Sequence, residues 1–139
     1  MDALWLSERV CVQHAREVRL PGYLFVQSLV DDPEAWLNDA GFRAEMTEAI
    51  AWAERVVRKL MKPAHVYLLR FGESGGYMHF HVIPRTQAVL EGYLSKNQDR
   101  APYSGARIAA WLWESSAAMG YSQHDIEYFV EAAKREADA

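Results

Sequence analysis

Apolar positions recur at two different periods along this chain. Over 42–62, Met46, Ala49, Ile50, Ala53, Val56, Val57 and Leu60 return at three- and four-residue spacing, which predicts a long helix ended by Pro63. Four segments instead carry the aromatic and β-branched content of strands: 9–13, 22–30, 65–71 and 77–83. The Leu20-Pro21-Gly22 corner predicts a hairpin-like pairing of the first two, and the five residues "GESGG" make the last two antiparallel neighbours. Pro33 opens a short helical piece through Trp36 and Leu37. The stretch 91–105, polar with Pro and Gly, reads as a loop, and a helix follows near 106–119. Ser122 then caps a last helix, with Asp125 at the reciprocal position and Ile126, Phe129, Val130 and Ala133 on one face. The pattern predicts an α+β domain: a meander of four or five antiparallel strands, a long inserted helix and a helical C-terminal third.

Length narrows this to one domain, 1–139, able to bury about two-thirds of its unfolded surface. There is no internal repeat, low-complexity tract or linker. Cys11 is the only cysteine, so a disulfide framework or a thiolate zinc cluster within one chain is excluded, and a reducing, cytoplasmic setting is expected. The first residues lack a signal-peptide pattern, and no run approaches the roughly 18 apolar residues of a membrane span, so no membrane partner is expected. A net charge of −4 argues against non-specific binding to duplex nucleic acid. Charge is not uniform, however: residues 61–110 carry six basic against three acidic residues, the one positive segment. A local positive field suits a phosphate-bearing ligand.

That segment holds "YMHFHVIPR" (77–85). On a strand, Tyr77, His79, His81 and Ile83 share one face and Met78, Phe80 and Val82 the other. Burying two imidazoles in a dry core costs several kcal/mol unless each finds a partner, so they should line a cleft. Three roles fit the pair: satisfied histidines on a half-exposed face; two ligands of a metal, which needs a third from His14, His65 or a carboxylate; or a nucleophile and its helper, since neutral imidazole attacks phosphorus near neutral pH.

The same residues carry a resemblance. "YMHFHVIPR" resembles the signature strand of the histidine triad (HIT) superfamily, His-φ-His-φ-His-φ-φ followed by Pro-Arg, with φ apolar; His79 and His81 fall on the second and third histidines. "LPGYLFV" (20–26) is similar to the family's Pro-Gly-His-φ-φ-φ strand, with Tyr23 in place of histidine. The resemblance covers about 8–86, and the helical extension at about 104–137 carries no family motif. It implies a HIT-like sheet of about four or five strands and a nucleotide hydrolase or nucleotidyl transferase. Such an enzyme cleaves a nucleoside phosphate anhydride, ester or phosphoramidate, of the diadenosine polyphosphate or AMP-conjugate kind. His79 is then the nucleophile, forming a nucleotidyl-histidine, and His81 contacts the phosphate. A ring N–H of the nucleophile held by a backbone carbonyl would fix its tautomer. No cofactor is required, though a divalent metal can accompany the substrate. A small-molecule nucleotide partner and a homodimer are also implied.

Two departures stand out. Tyr77 occupies the first histidine position, and Ser74-Gly75-Gly76 runs into it without the family's polar Gly-Gln-Ser/Thr turn. Ser74, Gly75, Gly76 and Tyr77 remain candidates for substrate contact through the turn's backbone N–H groups. Arg70, where the family often has asparagine, Arg85, and Gln13 and His14 at the end of the first strand complete the candidate set. Tyr93, Lys96, Arg100 and Arg107 could close over a polyphosphate, with solvated loop charge the default. His65 reads as surface, His124 as a plain helix residue, and Trp111 and Trp113 as packing.

Overall fold

The computed structural model describes residues 3–73 and 75–137. Its elements are β1 (Trp5–Leu6), β2 (Val10–His14), β3 (Leu24–Ser28), α1 (Ala35–Asn38), α2 (Ala40–Met61), β4 (His65–Leu69), β5 (His79–Arg85), α3 (Gln87–Leu94), α4 (Gly105–Ser115), a 3-10 turn (Ser116–Met119) and α5 (Gln123–Ala137). The five strands form one antiparallel sheet in the order β1-β2-β3-β5-β4. The α+β architecture matches expectation. The order is less simple than a meander, because α2 carries the chain across the sheet to its far edge and the β4–β5 hairpin returns β5 to β3.

Each element has a local cause. Asp39 caps α2 by accepting from the Phe42 N–H, and the helix stops at Lys62 in a left-handed conformation before Pro63. Its apolar stripe, including Phe42, Met46, Ala49, Ala53 and Val57, packs on Val10, Val12, Leu24, Val26 and Val82 from one face of the sheet. Phe129 and Ala133 of α5 join that core, and Ser122 and Asp125 bond reciprocally at the start of α5 as expected. Pro84 is accommodated inside β5 because the β3 ladder ends at Leu24–Val82, leaving no β3 partner for the N–H that proline lacks.

Four boundaries differ from the sequence reading. Residues 87–94 form α3, so the loop expected over 91–105 starts later; Thr86 caps the helix, and Val89, Leu90 and Tyr93 bury against the sheet. Helix α4 stops at Ser115 and tightens into the 3-10 turn, closed by Gly120 at φ +80°. The histidine strand runs from His79 to Arg85, two residues later than read. Strand β1, two residues long, is too short for any periodicity to reveal. Among the described residues no helix is long and apolar enough to cross a membrane.

On its second face the sheet is only half covered. Ile83 and Tyr23 pack under Val89, Tyr93, Ile108 and Leu112 of α3 and α4. The part of that face carrying His79 and His81 lies beyond these helices and remains open.

Candidate active site

Register builds the site. Across the sheet, Gln13 of β2 pairs with Phe25 of β3, and Phe25 pairs with His81 of β5. The next row pairs Cys11 with Gln27 and Gln27 with His79. Side chains directly opposite share a face, so Gln13, Phe25, Gln27, His79 and His81 converge on one surface. They line a cleft of about 750 Å³ with His14, Tyr23, Phe71, Glu73, Trp113 and the β2–β3 loop residues Arg16, Glu17 and Val18.

The two histidine rings lie 5.0 Å apart, centroid to centroid. Phe25 presents its ring nearly perpendicular to both, at 5.6 Å from His79 and 4.8 Å from His81. His79 is half-buried, and among the described residues its ring nitrogens form no hydrogen bond, so the backbone carbonyl expected to hold it is not engaged. His81 is held firmly. Its Nδ1 lies 2.6 Å from the Tyr23 hydroxyl, and the Trp113 indole N–H donates to the same oxygen at 2.8 Å. Burial, and secondarily the nearby His79, push the His81 pKa down to about 4, so it is neutral at physiological pH. Burial pushes the Tyr23 pKa up to about 12, only partly opposed by the Trp113 hydrogen bond, so its proton stays on.

The His14 ring packs toward α5. Positions 10, 12 and 14 of β2 share the face packed by α2 and α5, and the His14 ring meets Phe129 edge-on at 5.7 Å. Its Nδ1 lies 2.8 Å from the Ala15 carbonyl, and Gly22 N–H donates to Nε2 at 3.0 Å. Both nitrogens are thus spent on backbone, and burial lowers the ring's pKa despite the opposing Ala15 bond. Residue 14 borders the cleft beside Gln13, yet its ring nitrogens are engaged by backbone, which gives His14 a structural role at the cleft's edge.

The candidate cations are also displaced. Arg70 is exposed one residue past β4, outside the cleft lining. Arg85 lies four residues beyond His81, about 13 Å along the strand, buried with its guanidinium over the Tyr103 ring at 5.6 Å. Among the described residues Arg16 is the cation that lines the cleft, together with two carboxylates, Glu17 and Glu73. Tyr77 is exposed and outside the lining. Gly75 takes φ +65°, and Gly76 passes so close to the Asp31 carboxylate that any Cβ there would collide. Ser74 lies outside the described residues. Among the described residues no group of three His, Cys or carboxylate side chains gathers to hold a metal, so the histidine pair lacks the third ligand a zinc site needs.

Three solved structures resemble this one over nearly its whole length. A HIT-like protein involved in cell-cycle regulation from Bartonella henselae, with an unknown ligand, superposes with a TM-score of 0.60 at 13% identity, covering 96% of this chain and 84% of that one. A hypothetical histidine triad nucleotide-binding protein from Sulfolobus tokodaii gives 0.61 at 12% identity, covering 98% and 83%. A histidine triad protein from Bradyrhizobium japonicum gives 0.59 at 14%, covering 98% and 90%. This chain has the histidine triad fold. Sequence alone is more distant: no family model and no curated protein matches it. Within the HIT fold, the cleft carries a histidine pair in place of three, and it recruits Tyr23 and Trp113 as partners. Sequence reasoning missed Phe25, Gln27, Trp113 and Arg16. The register of 24–27 against 79–82 could have found the first two.

Proposed function

We propose that this HIT-fold protein is a nucleotide hydrolase or nucleotidyl transferase working through His79. The observation that carries the reading is the pair itself: His79 free to face an open cleft, with a neutral, anchored His81 centred 5.0 Å away. An unprotonated His79 nitrogen attacks the α-phosphorus of a nucleoside phosphate ester, anhydride or phosphoramidate. The N–P bond forms as the P–O or P–N bond breaks, and the leaving group departs with the electron pair and takes a proton from solvent. Water or another acceptor then attacks phosphorus, releases His79 and yields the nucleoside monophosphate or a transferred nucleotidyl group. His81 stabilises the charge that builds on the non-bridging oxygens. Phe71 and Trp113, edge-to-face at 5.5 Å and both exposed at the cleft, offer an apolar surface for a base. The substrate classes are diadenosine polyphosphates and adenosine monophosphate conjugates, and the same reading carries a homodimer and a cytoplasmic setting.

A nucleotide-binding module without turnover is the second reading, favoured by Tyr77 at the first histidine position and by a cleft lining with two carboxylates and one arginine. Turnover of diadenosine polyphosphates, adenosine phosphoramidate and aminoacyl-adenylate mimics, measured under chelator for wild type and His79→Asn, separates the two. Cleavage that collapses at least 1,000-fold in the variant, on the order expected for losing a nucleophile, supports the hydrolase. Silence from both proteins with nucleotide binding retained sinks it in favour of the module.

A further inference from the structure

Hydrogen bonding at Tyr23 allows only one assignment of protons. The Trp113 indole nitrogen can only donate, so the Tyr23 oxygen accepts that bond. The hydroxyl proton then has one partner within reach, His81 Nδ1 at 2.6 Å. The opposite arrangement, with Nδ1–H donating to the oxygen, would leave a fully buried O–H unpaired among the described residues, at about 1–3 kcal/mol. Tyr23 therefore donates to Nδ1, and the His81 proton sits on Nε2, the ring nitrogen directed away from Tyr23.

We propose that Tyr23, held by Trp113, is the positioning residue for His81: it fixes the Nε2–H tautomer and makes that ring a donor, never an acceptor, toward an oxygen bound in the cleft. The relay joins three separate parts of the chain: the residue after the Pro21-Gly22 corner, just before β3, supplies the phenol, α4 supplies the indole, and β5 supplies the imidazole. It gives the C-terminal third a direct role at the cleft, although that third carries no motif of its own. Tyr23 stands where the related strand pattern has histidine, and a phenol at this position has a consequence that an imidazole lacks. Its single proton cannot move to a second nitrogen, so the polarity of the relay is set by chemistry for as long as His81 is neutral and Tyr23 keeps its proton. Trp113 also meets Phe71 at the mouth of the cleft, so the residue that orients the phenol is half of the aromatic pair lining the entrance.

The consequence for rate rests on the nucleotidyl-transfer reading; the tautomer does not. Nitrogen-15 NMR of the full-length protein, labelled in histidine, reads the ring nitrogens of His81 near neutral pH, assigned by comparison with His81→Asn. The expected spectrum has an unprotonated Nδ1 and a protonated Nε2. In Tyr23→Phe, which keeps the ring and its packing, the two nitrogens should move toward the averaged shifts of a tautomer mixture, and kcat for a cleaved phosphoramidate should fall about 10-fold, the order of one lost hydrogen bond, with KM changed less than about twofold. Trp113→Phe should give a smaller loss in the same direction. A proton on Nδ1 in the wild-type spectrum overturns the proposal, whether or not any variant folds. A tautomer shift in Tyr23→Phe with kcat unchanged overturns the positioning role. Absent turnover in wild type with the expected nitrogen pattern would sink the nucleotidyl-transfer reading and still support the relay.

Discussion

Replacing His14 tests whether a histidine at the edge of a ligand cleft works as structure. His14→Leu keeps roughly the same volume and removes both ring nitrogens, leaving the Gly22 N–H and the Ala15 carbonyl without their partners in a site closed to solvent. Each orphaned group costs about 1–3 kcal/mol, and the apolar replacement recovers part of this through contact with Phe129, for a net loss of roughly 2–5 kcal/mol. With an unfolding entropy of about 2.1 cal/mol/K per residue, 1 kcal/mol shifts the Tm of a chain this size by about 3 °C, so the variant should melt roughly 6–15 °C lower. Calorimetry or circular dichroism gives the melt, and substrate titration gives KM. The expected result is a large fall in Tm with KM near wild type below the melt. A Tm within about 3 °C of wild type together with a KM raised tenfold would refute the reasoning and return His14 to the ligand.

The corner that His14 braces should be equally sensitive. Gly22 sits at φ +89°, and a Cβ there would come within 2.9 Å of Met61 Cγ and 3.4 Å of Pro84 Cγ; Gly22→Ala should lower stability by about 1–3 kcal/mol by denaturant melt, and a neutral or stabilising effect would contradict the assigned backbone conformation. Acid should weaken the fold through its histidines before its carboxylates. His14 and His81 both titrate lower in the folded chain than the ordinary 6.5, so the unfolded chain binds protons first. Their stabilising contribution is complete above about pH 6.5 and is lost as pH falls toward the folded values, about 4 for His81. Urea midpoints should therefore drop between pH 7.5 and 5, and a flat profile over that window would contradict the depressed values.

How much could be read from sequence depended on how local the determinant was. Helix α2 was legible because its apolar stripe, Asp39 cap and Pro63 stop lie within one stretch. The histidine pair was legible for a similar reason, since strand alternation alone places His79 and His81 on one face. Helix α3 was missed because only Val89, Leu90 and Tyr93 mark its buried side, with Gly92 among them and a polar run following. The role of His14 turned on strand phase: Gln13 and His14 are adjacent in sequence and both border the cleft, yet pairing packs the His14 ring against Phe129 of α5. Tyr23–His81 and Trp113 lie 58 and 90 positions away from their partners, and nothing in a local window connects such residues. The cleft's charge was illegible for the same reason. Arg70 and Arg85 supply positive sequence around the histidines, whereas the folded chain brings Arg16, Glu17 and Glu73 to the cleft instead.

The central claim is that His79 carries the nucleotidyl group. Mixing the protein with an adenylylated substrate, quenching in base to preserve a phosphorus–nitrogen bond, and sequencing the peptides by mass spectrometry would test it most directly. The account predicts an added adenylyl group on the peptide containing residues 77–85, located at His79 and missing from His79→Asn. A cleaved substrate with no adduct in wild type, or an adduct that survives in His79→Asn, would contradict it.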